Sequence, residues 1–336
     1  GSMSLTNTAH IAHPLHSGAP ITGATGEHCA FVGGGKMTRA IVAGLLRARS
    51  HKAGNADIAD SAPTSTQISI VQPRNPKRDQ LAQDFGEHGI QVVVAPADLR
   101  TPATIVVWSV KPQVLKAVAQ VEAHHFNKEA LHLSIAAGVP TVSIADWVQN
   151  QRVVRAMPNT PAMVGQGATG LFATDAVDAA DRDKVTALLR HTGLCLWVEQ
   201  EHLLEAVTAV SGSGPAYMFY ILDAMVKGGV ALGLTASVAK ELAMATMTGA
   251  AALAQQSPET PATLRQNVTS KGGATAEAVR VFDEAHLDDT LQKGMQACAA
   301  RAREMGQLFI WAIAVDNTIP ANTTKPSQWL FLNTQK

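Results

Sequence analysis

The first part of the chain alternates β-rich runs with helical runs, and this alternation constrains the fold more than any other feature of the sequence. The pattern predicts strands at 29–33, 67–72 and 103–110, with helices at 37–49 and 77–89 between them. Strands that are joined through helices form a parallel sheet, which the helices cover. The sequence therefore predicts an α/β fold with a parallel sheet at the N-terminal side.

The alternation continues with a helix, two strands, and a helix between two further strands. These elements are predicted at 114–124 (helix), 131–138 and 152–157 (strands), and 179–190 (helix, between strands 167–173 and 193–199). After Glu201, alanine, leucine and methionine recur at helical spacing, which indicates an all-helical region. We therefore expect an α/β domain at 27–201 and a helical domain at 202–310, with tails at 1–26 and 311–336.

A glycine cluster follows the first predicted strand and opens the first helix. Gly33, Gly35 and Thr38 occupy the three positions of a dinucleotide fingerprint, whose glycines permit a tight turn and the close approach of a pyrophosphate. Amides at the start of the helix would bind the anion. Glycine turns of this kind also serve as plain connections, and Thr38 is bulkier than the usual glycine or alanine. The spacing alone leaves both interpretations open.

The residues after the second strand bear on the choice of cofactor. An acidic residue there would bind the ribose 2′-hydroxyl of NAD, whereas this chain has Arg74, Asn75, Lys77 and Arg78 and no carboxylate before Asp79. A guanidinium suits a 2′-phosphate, because its fork forms paired, charge-assisted hydrogen bonds. The sequence favours NADPH, with NADH as the second choice. The alternative is that these charges form only the solvated start of a helix.

Two further stretches in the helical region, "SGSGPAY" and "TSKGGATAEAV", are rich in glycine. Each is expected to begin a helix, the first with Pro215 in its first turn and the second near Thr275. Backbone amides exposed at such turns suit a carboxylate. Composition alone supports an equal alternative, in which both stretches are interhelical turns capped by serine or threonine.

Charge and cysteine content narrow the classes of partner. Lysine plus arginine and aspartate plus glutamate number 27 each, so no net positive field favours nucleic acid or an anionic membrane. Cys29, Cys195 and Cys298 lie far apart and form no CxxC pair, which argues against a disulfide framework and a zinc site. The opening lacks the features of a signal peptide, and no apolar run reaches the roughly 20 residues of a membrane span. We expect a small-molecule ligand, no metal, and a cytoplasmic location.

Six motifs, taken together, resemble a known family. In the order and spacing of the pyrroline-5-carboxylate reductases, the chain contains "FVGGGKM", "SVKPQV", "SIAAGV", "RAMPNTPAMVGQGATGLF", "AVSGSGPAYMF" and "NVTSKGGATAEAV". The similarity extends over about 31–305. It implies a Rossmann-type domain followed by an all-helical dimerisation domain, in a homodimer or a higher homo-oligomer such as a decamer. It also implies the last step of proline synthesis, reduction of L-1-pyrroline-5-carboxylate to L-proline by NAD(P)H.

The resemblance further implies which residues form the site. Cofactor contacts would fall on Gly33, Gly34, Gly35, Lys36, Met37, Ser109, Val110, Lys111, Pro112, Ala137 and Asn267, in addition to Arg74 and Asn75. Substrate contacts would fall on Ser270, Gly272, Gly273, Ala274 and Thr275, with Glu201 at an acidic position near bound proline. Two residues depart from the family pattern. Lys271 replaces a common proline, which puts carboxylate affinity in question, and Pro96 replaces an asparagine that lies near the cofactor in some relatives.

The expected chemistry needs positioning more than acid–base catalysis, because the cofactor supplies the hydride. We expect the amides of Gly272 and Gly273 and the Ser270 hydroxyl to bind the substrate carboxylate. Thr275 is the expected catalytic residue, with its hydroxyl on the ring nitrogen. None of the 12 histidines lies inside the motifs, so we expect no histidine base. Lys111 is an alternative acid, but before a proline its backbone more readily shapes the turn.

Rival functions differ from a pyrroline-5-carboxylate reductase at particular residues. A related NADP-dependent imine oxidoreductase would share the architecture, as would the β-hydroxyacid dehydrogenases. The dehydrogenases carry a catalytic lysine where this chain has Met218, and a thioether cannot transfer a proton. A non-catalytic NADPH-binding regulator would have no use for a second ligand site at Thr275.

Overall fold

The computed structural model describes residues 26–54 and 66–316. The strands are β1 His28–Val32, β2 Gln67–Val71, β3 Gln91–Val93, β4 Ile105–Trp108, β5 Leu131–Ser134, β6 Val153–Met157, β7 Gly167–Ala173 and β8 Gly193–Trp197. The α-helices are α1 Lys36–Gly54, α2 Pro76–Phe85, α3 Pro112–Glu122, α4 Thr141–Val148, α5 Ala179–Leu189, α6 Leu203–Val207, α7 Gly214–Ala231, α8 Ala236–Gln256, α9 Pro261–Asn267, α10 Ala274–Glu284 and α11 Leu287–Asp316. An α/β region followed by helices was the predicted fold, and it is confirmed.

The eight strands form one sheet in the order β3-β2-β1-β4-β5-β6-β7-β8. Every neighbouring pair is parallel except β6 and β7, which are antiparallel. The prediction of a parallel sheet is therefore confirmed apart from that one pair. Because β1 lies between β2 and β4, the direction of chain progression reverses there. Open α/β sheets bind their ligands at the carboxyl ends of the strands beside such a reversal.

Helices cover both faces of the sheet. This explains why the residues of β1 are almost all apolar. Phe31 belongs to the apolar cluster on one face and Val32 to the cluster on the other, and neither side chain is exposed to solvent. Side chains of a strand point alternately to the two faces of the sheet. When helices cover both faces, every side chain is buried, and the strand sequence is a continuous apolar run. The run "CAFV" is explained by this burial.

A buried polar pair lies inside the sheet. The Trp108 indole N–H donates to Nδ1 of His132 at 3.0 Å, and the two rings stack. Burial lowers the pKa of His132 and the nearby positive charge of Arg152 adds to this effect, so that together they bring it to about 4. The ring is therefore neutral at physiological pH, with Nδ1 as the acceptor. This histidine is therefore a core residue that the hydrogen bond from Trp108 holds in place.

The chain divides into two compact units. The described residues up to Gly212 and from Ala299 onward form the first, which we call the sheet unit, and Ser213–Cys298 form the second, the helical unit. The predicted limits, 27–201 for the dinucleotide-binding domain and 202–310 for the dimerisation domain, stay a prediction. Most of the predicted tails at 1–26 and 311–336 lies outside the described residues, although α11 continues to Asp316.

Several local predictions can be compared with the observed elements. Helix α7 begins at Gly214 with Pro215 in its first turn, and α10 begins at Ala274, as predicted. The helix predicted over 77–89 is shorter, because α2 ends at Phe85 and a 3₁₀ turn, Gly86–His88, follows it. Strand β3 and helix α4 were not predicted.

Candidate active site

The predicted cofactor residues of the sheet unit follow the carboxyl ends of four strands. Residues 33–37 follow β1, Arg74 and Asn75 follow β2, 109–112 follow β4, and Ala137 follows β5. These strands are neighbours in the order β2-β1-β4-β5. The residues therefore lie along one edge of the sheet at the reversal, where an α/β sheet binds nucleotides. Asn267, the remaining predicted cofactor contact, belongs to the helical unit.

The three glycines after β1 have different structural requirements. Gly33 has a φ of +103°, and an added Cβ would lie 2.6 Å from the Ser109 carbonyl oxygen, so only glycine fits there. The Gly34 N–H donates to Oε1 of buried Gln72 at 2.8 Å. At Gly35 the nearest atom to an added Cβ is the Ser109 oxygen, 4.0 Å away. The space beside Gly35 is thus open, as the close approach of a pyrophosphate requires.

The start of α1 adds electrostatic attraction to this open space. Amides in the first turn of a helix, here including those of Lys36 and Met37, have no acceptor within the helix. Together with the helix dipole they attract an anion. The exposed side chain of Lys36 adds a positive charge. The residues present therefore fit the phosphates of a dinucleotide.

The residues after β2 offer positive charge on the solvent side. Arg74 and Lys77 are exposed, and Asn75 caps α2 by accepting the Arg78 N–H at 3.0 Å. The cap turns the Asn75 oxygen toward α2, and the amide NH₂ is the group that can donate to a ligand. Along the chain after β2, the basic residues Arg74, Lys77 and Arg78 all precede the first acidic residue, Asp79.

The turn after β4 shows what Lys111 does in the structure. Lys111 is the N-cap residue of α3, with φ −58° and ψ 146°, and Pro112 occupies the first helical turn. This extended backbone is the conformation that a following proline favours. The expected role of Lys111 in shaping the turn agrees with this geometry.

Glu201 makes contacts that sequence reasoning missed. Its carboxylate lies within hydrogen-bond distance of the Thr141 N–H, at 3.0 and 3.1 Å, and of the Thr141 hydroxyl, at 2.6 and 3.0 Å. Thr141 begins α4, so a carboxylate that is distant in sequence caps this helix. Nearby Arg155 is buried, which lowers its pKa, although Glu201 and Glu205 raise it in part. A role for Glu201 near the substrate stays a prediction.

A second missed residue is Asn159, in the motif "RAMPNTPA". Its Oδ1 accepts the Ala168 N–H of β7 at 2.8 Å, and its Nδ2 donates to the Ser211 carbonyl at 3.0 Å. Ser211 lies in a π-helical turn, Thr208–Gly212, that directly precedes the helical unit in sequence. One amide side chain therefore ties a sheet strand to the last turn of the sheet unit. π-Helical turns are frequent at functional sites.

Apart from Glu201, which belongs to the sheet unit, the predicted substrate residues lie together in the helical unit, at the turn that leads into α10. Gly272 has a φ of +75°, and Gly273 is the N-cap residue. The Gly273 N–H, expected to bind a carboxylate, donates to the Ser270 carbonyl at 3.0 Å. The amides of Ala274 and Thr275 open the helix and have no intrahelical acceptor. The side chains of Ser270 and Thr275 are exposed in this single chain, as is Lys271.

Asn267, at the end of α9, has a partner that the sequence did not reveal. Its Nδ2 donates to Oε2 of Glu259 at 2.8 Å. Glu259 therefore fixes the orientation of the amide, and the Asn267 Oδ1 and the second N–H of Nδ2 are left for other groups. No periodicity or motif in "QQSPETP" signals this pairing.

The helical unit exposes large apolar side chains along α7 and α8. Phe219 is 63% exposed, Leu242 56% and Leu253 67%, and we call these three residues the apolar face. Over the whole of this unit, the buried hydrophobic residues are Ala239 and Ala243. Large apolar side chains that are exposed together in this way are typical of a surface that another protein covers.

The thiols and acids of the described residues give no sign of a metal site. Cys29, Cys195 and Cys298 are unpaired, and burial raises the pKa of Cys29 to about 12 and that of Cys195 to about 11. These two thiols are neutral and unreactive at physiological pH. Within 26–54 and 66–316, no group of three or more histidine, cysteine or acidic side chains is placed to hold a metal ion. In the same ranges no helix is both long and apolar enough to span a membrane.

Comparison with known proteins gives matches over both units. A family model described as pyrroline-5-carboxylate reductase dimerisation matches residues 201–305. A second, described as NADP oxidoreductase coenzyme F420-dependent, matches 28–138. The first covers the helical unit, and the second covers the strands whose carboxyl ends carry the glycine turn.

The matches to individual relatives extend over almost the whole length of each relative. The pyrroline-5-carboxylate reductase of Pseudomonas aeruginosa is 40% identical over 283 residues, which are 83% of this chain and 98% of the relative. A solved pyrroline-5-carboxylate reductase from Coxiella burnetii is 34% identical, with a TM-score of 0.72 over 82% of this chain and 97% of that one. A Plasmodium falciparum pyrroline carboxylate reductase with NADP bound, 22% identical, shares the fold at a TM-score of 0.68 over 84% of this chain and 99% of that one.

Proposed function

The chain belongs to the pyrroline-5-carboxylate reductase family, and on that premise we propose how its own residues carry out the reaction. The reaction is the NAD(P)H-dependent reduction of the C=N bond of L-1-pyrroline-5-carboxylate to L-proline, the last step of proline biosynthesis. The observation that carries the assignment is the similarity to a named reductase over 98% of that relative's length. Each unit supplies one glycine turn suited to an anion, the cofactor's in one and the substrate's in the other.

The cofactor is NADPH, which supplies a hydride when it is bound. The amides of 35–37 would bind its pyrophosphate, beside the space left open at Gly35. The Arg74 guanidinium would bind the 2′-phosphate, with the Asn75 NH₂ as a second donor. Ser109, Lys111 and Ala137 would contact the rest of the cofactor from the neighbouring strand ends.

Arg74→Ala is expected to raise the KM for NADPH about tenfold and to change the KM for NADH little, because a charge-assisted hydrogen bond to a phosphate is lost. Arg74→Lys should fall between the two, since it keeps the charge but loses the fork. Steady-state kinetics with both cofactors measure this. Equal losses with NADPH and NADH would exclude a contact with the 2′-phosphate.

The substrate carboxylate would bind at the turn before α10. The Ser270 hydroxyl and the amides of Gly272 and Ala274 are the donors that we assign to it. The sequence predicted the Gly273 amide as a further donor to the carboxylate. In the structure, the Gly273 N–H donates to the Ser270 carbonyl instead. Lys271, exposed in the same turn, adds a positive charge that the proline common in the family does not provide.

Thr275 would act on the ring nitrogen. Its side chain leaves the first turn of α10, one residue after the amides that we assign to the carboxylate. A hydroxyl there accepts the N–H of the protonated imine and remains bonded to the nitrogen as it becomes an amine. This contact orients the C=N bond for attack, which is where most of the rate gain in such a reaction arises.

Thr275→Ala is expected to lower kcat/KM for pyrroline-5-carboxylate about 10- to 100-fold, since a hydrogen bond to a charged group is lost in the transition state. NADPH affinity and the melting temperature should stay at wild-type values, because alanine is favourable in a helical turn. Thr275→Ser keeps the hydroxyl and should recover most of the activity. An unchanged kcat/KM in the alanine variant would remove Thr275 from the mechanism.

The activity itself is tested by mixing the protein with NADPH and pyrroline-5-carboxylate and following the absorbance of the reduced nicotinamide. Consumption of NADPH with formation of proline is the expected result. If NADPH binds but is not consumed at any pH tested, the chain is a regulator and not a reductase.

Assembly and location complete the proposal. The chain forms homo-oligomers through its dimerisation region, and we take the dimer as the basic unit. A higher assembly such as a decamer would be built from such dimers, and light scattering measures its mass. The unpaired thiols of Cys29 and Cys195 suit a reducing compartment, in support of a cytoplasmic location.

A further inference from the structure

Thr38 lies where the dinucleotide fingerprint takes glycine or alanine. Its side chain is completely buried, and its hydroxyl oxygen lies 2.7 Å from the Gly33 carbonyl oxygen and 2.7 Å from the Ser109 hydroxyl oxygen. Gly33 begins the glycine turn after β1, and Ser109 begins the turn after β4. The Thr38 hydroxyl therefore bonds to both turns that are expected to hold the cofactor.

The direction of these two hydrogen bonds follows from the number of protons. A hydroxyl has one proton to donate, and a carbonyl oxygen can only accept. Thr38 must therefore donate to Gly33 and accept from Ser109. The single proton of the Ser109 hydroxyl is thereby committed to Thr38. Both remaining lone-pair directions of Ser109 are left for other groups, and the Ser109 side chain is only half-buried.

We propose that Thr38 is a positioning residue for NADPH, which fixes the distance between the two turns and makes the Ser109 hydroxyl a hydrogen-bond acceptor. This inference rests on the proposed cofactor contacts of Ser109. As an acceptor, the Ser109 hydroxyl can bind a donor group of the cofactor, which is either a ribose hydroxyl or the NH₂ of the nicotinamide carboxamide. It does not suit a phosphate oxygen, which needs a donor.

Packing alone does not explain a threonine at this position. The third fingerprint residue packs the helix against its strand, and a side chain without a polar group does that. A buried hydroxyl is tolerated when its hydrogen bonds are made, and here both bonds end on cofactor turns. The backbone of Gly33 also approaches the Ser109 carbonyl too closely for any side chain. The two turns are therefore joined twice, by a steric fit and by the Thr38 hydroxyl.

The test is Thr38→Val, which removes the hydroxyl and keeps the shape. The dissociation constant for NADPH, measured by fluorescence titration without substrate, is expected to rise about fivefold, the effect of one lost neutral hydrogen bond. Thr38→Ser should restore the wild-type value. Thr192→Val is the matched control, because Thr192 is equally buried and donates to the Leu189 carbonyl at 2.7 Å, outside the cofactor turns. It should lower the melting temperature and leave NADPH affinity unchanged.

A double-mutant cycle separates positioning from a general loss of stability. Ser109→Ala should weaken NADPH binding in the wild type and have a smaller effect in Thr38→Val, because the hydroxyl is no longer oriented. Wild-type NADPH affinity in Thr38→Val, no recovery in Thr38→Ser, or fully additive losses in the cycle would each overturn the inference. A wild-type protein that binds no NADPH in the same titration would overturn the proposed function instead.

Discussion

Gly35→Val is expected to fold as the wild type does and to bind NADPH at least about 100-fold more weakly, a difference of about 2.7 kcal/mol. The reason is the open space beside Gly35, where no protein atom lies closer than 4.0 Å to an added Cβ. The Cβ of a valine there comes no closer than 4.0 Å to the Ser109 oxygen, so we expect the variant to fold. Its methyl groups occupy the volume that the pyrophosphate needs, and the phosphates cannot reach the amides of α1.

Two other glycines serve as comparisons for this variant. Gly86→Val is the matched control, because Gly86 has a helical φ of −59° and nothing within 4 Å of an added Cβ. It should keep both the melting temperature and NADPH affinity. Gly33→Val should lose stability as well as binding, since the Ser109 carbonyl blocks its Cβ. If Gly35→Val binds NADPH as tightly as the wild type, the cofactor does not use this turn.

Leu242→Arg is expected to dissociate the homo-oligomer and to lower the specific activity more than about tenfold at micromolar protein. Leu242 belongs to the apolar face of the helical unit, whose buried hydrophobic residues are two alanines. A unit with so little buried area gains most of its stability from the copy that covers it. A guanidinium at the covered face would be buried without a partner, which strongly opposes association.

The measurements are the mass in solution and the melting temperature as a function of concentration. In the wild type the melting temperature should rise with protein concentration, because association stabilises the folded chain. Gln255→Arg makes the same change of charge at a polar, exposed position of the same helix and should keep the wild-type mass. A Leu242→Arg protein of unchanged mass would show that a different surface joins the subunits.

The sequence predicted the elements with strong periodicity and missed those that depend on distant residues. The buried run at β1 and the proline and glycine signals before α7 and α10 are local, and those predictions are confirmed. Helix α4 begins after Pro140 without a capping side chain of its own, because Glu201 provides the cap. Strand β3 has three residues, too few to show a period. The antiparallel direction of β7 depends on the path of the chain and not on its composition.

For the candidate site, sequence motifs located the turns but not the hydrogen bonds inside them. The glycine spacing predicted an anion-binding turn after β1, and the structure leaves the required space at Gly35. The pairing of Gly273 with Ser270, and of Asn267 with Glu259, depends on backbone conformation within a turn. Thr38 appeared only as a bulky exception to the fingerprint, because its partner Ser109 is far away in sequence.

The return of α11 to the sheet unit has a consequence for how the protein is made. Phe309 contacts Trp147 with ring centroids 6.3 Å apart, and Arg303 pairs with Glu205, although the whole helical unit lies between these partners in sequence. During translation, the packing of the sheet unit therefore cannot be completed until α11 has left the ribosome. Until then, a nascent chain leaves the Trp147 ring without its contact to Phe309.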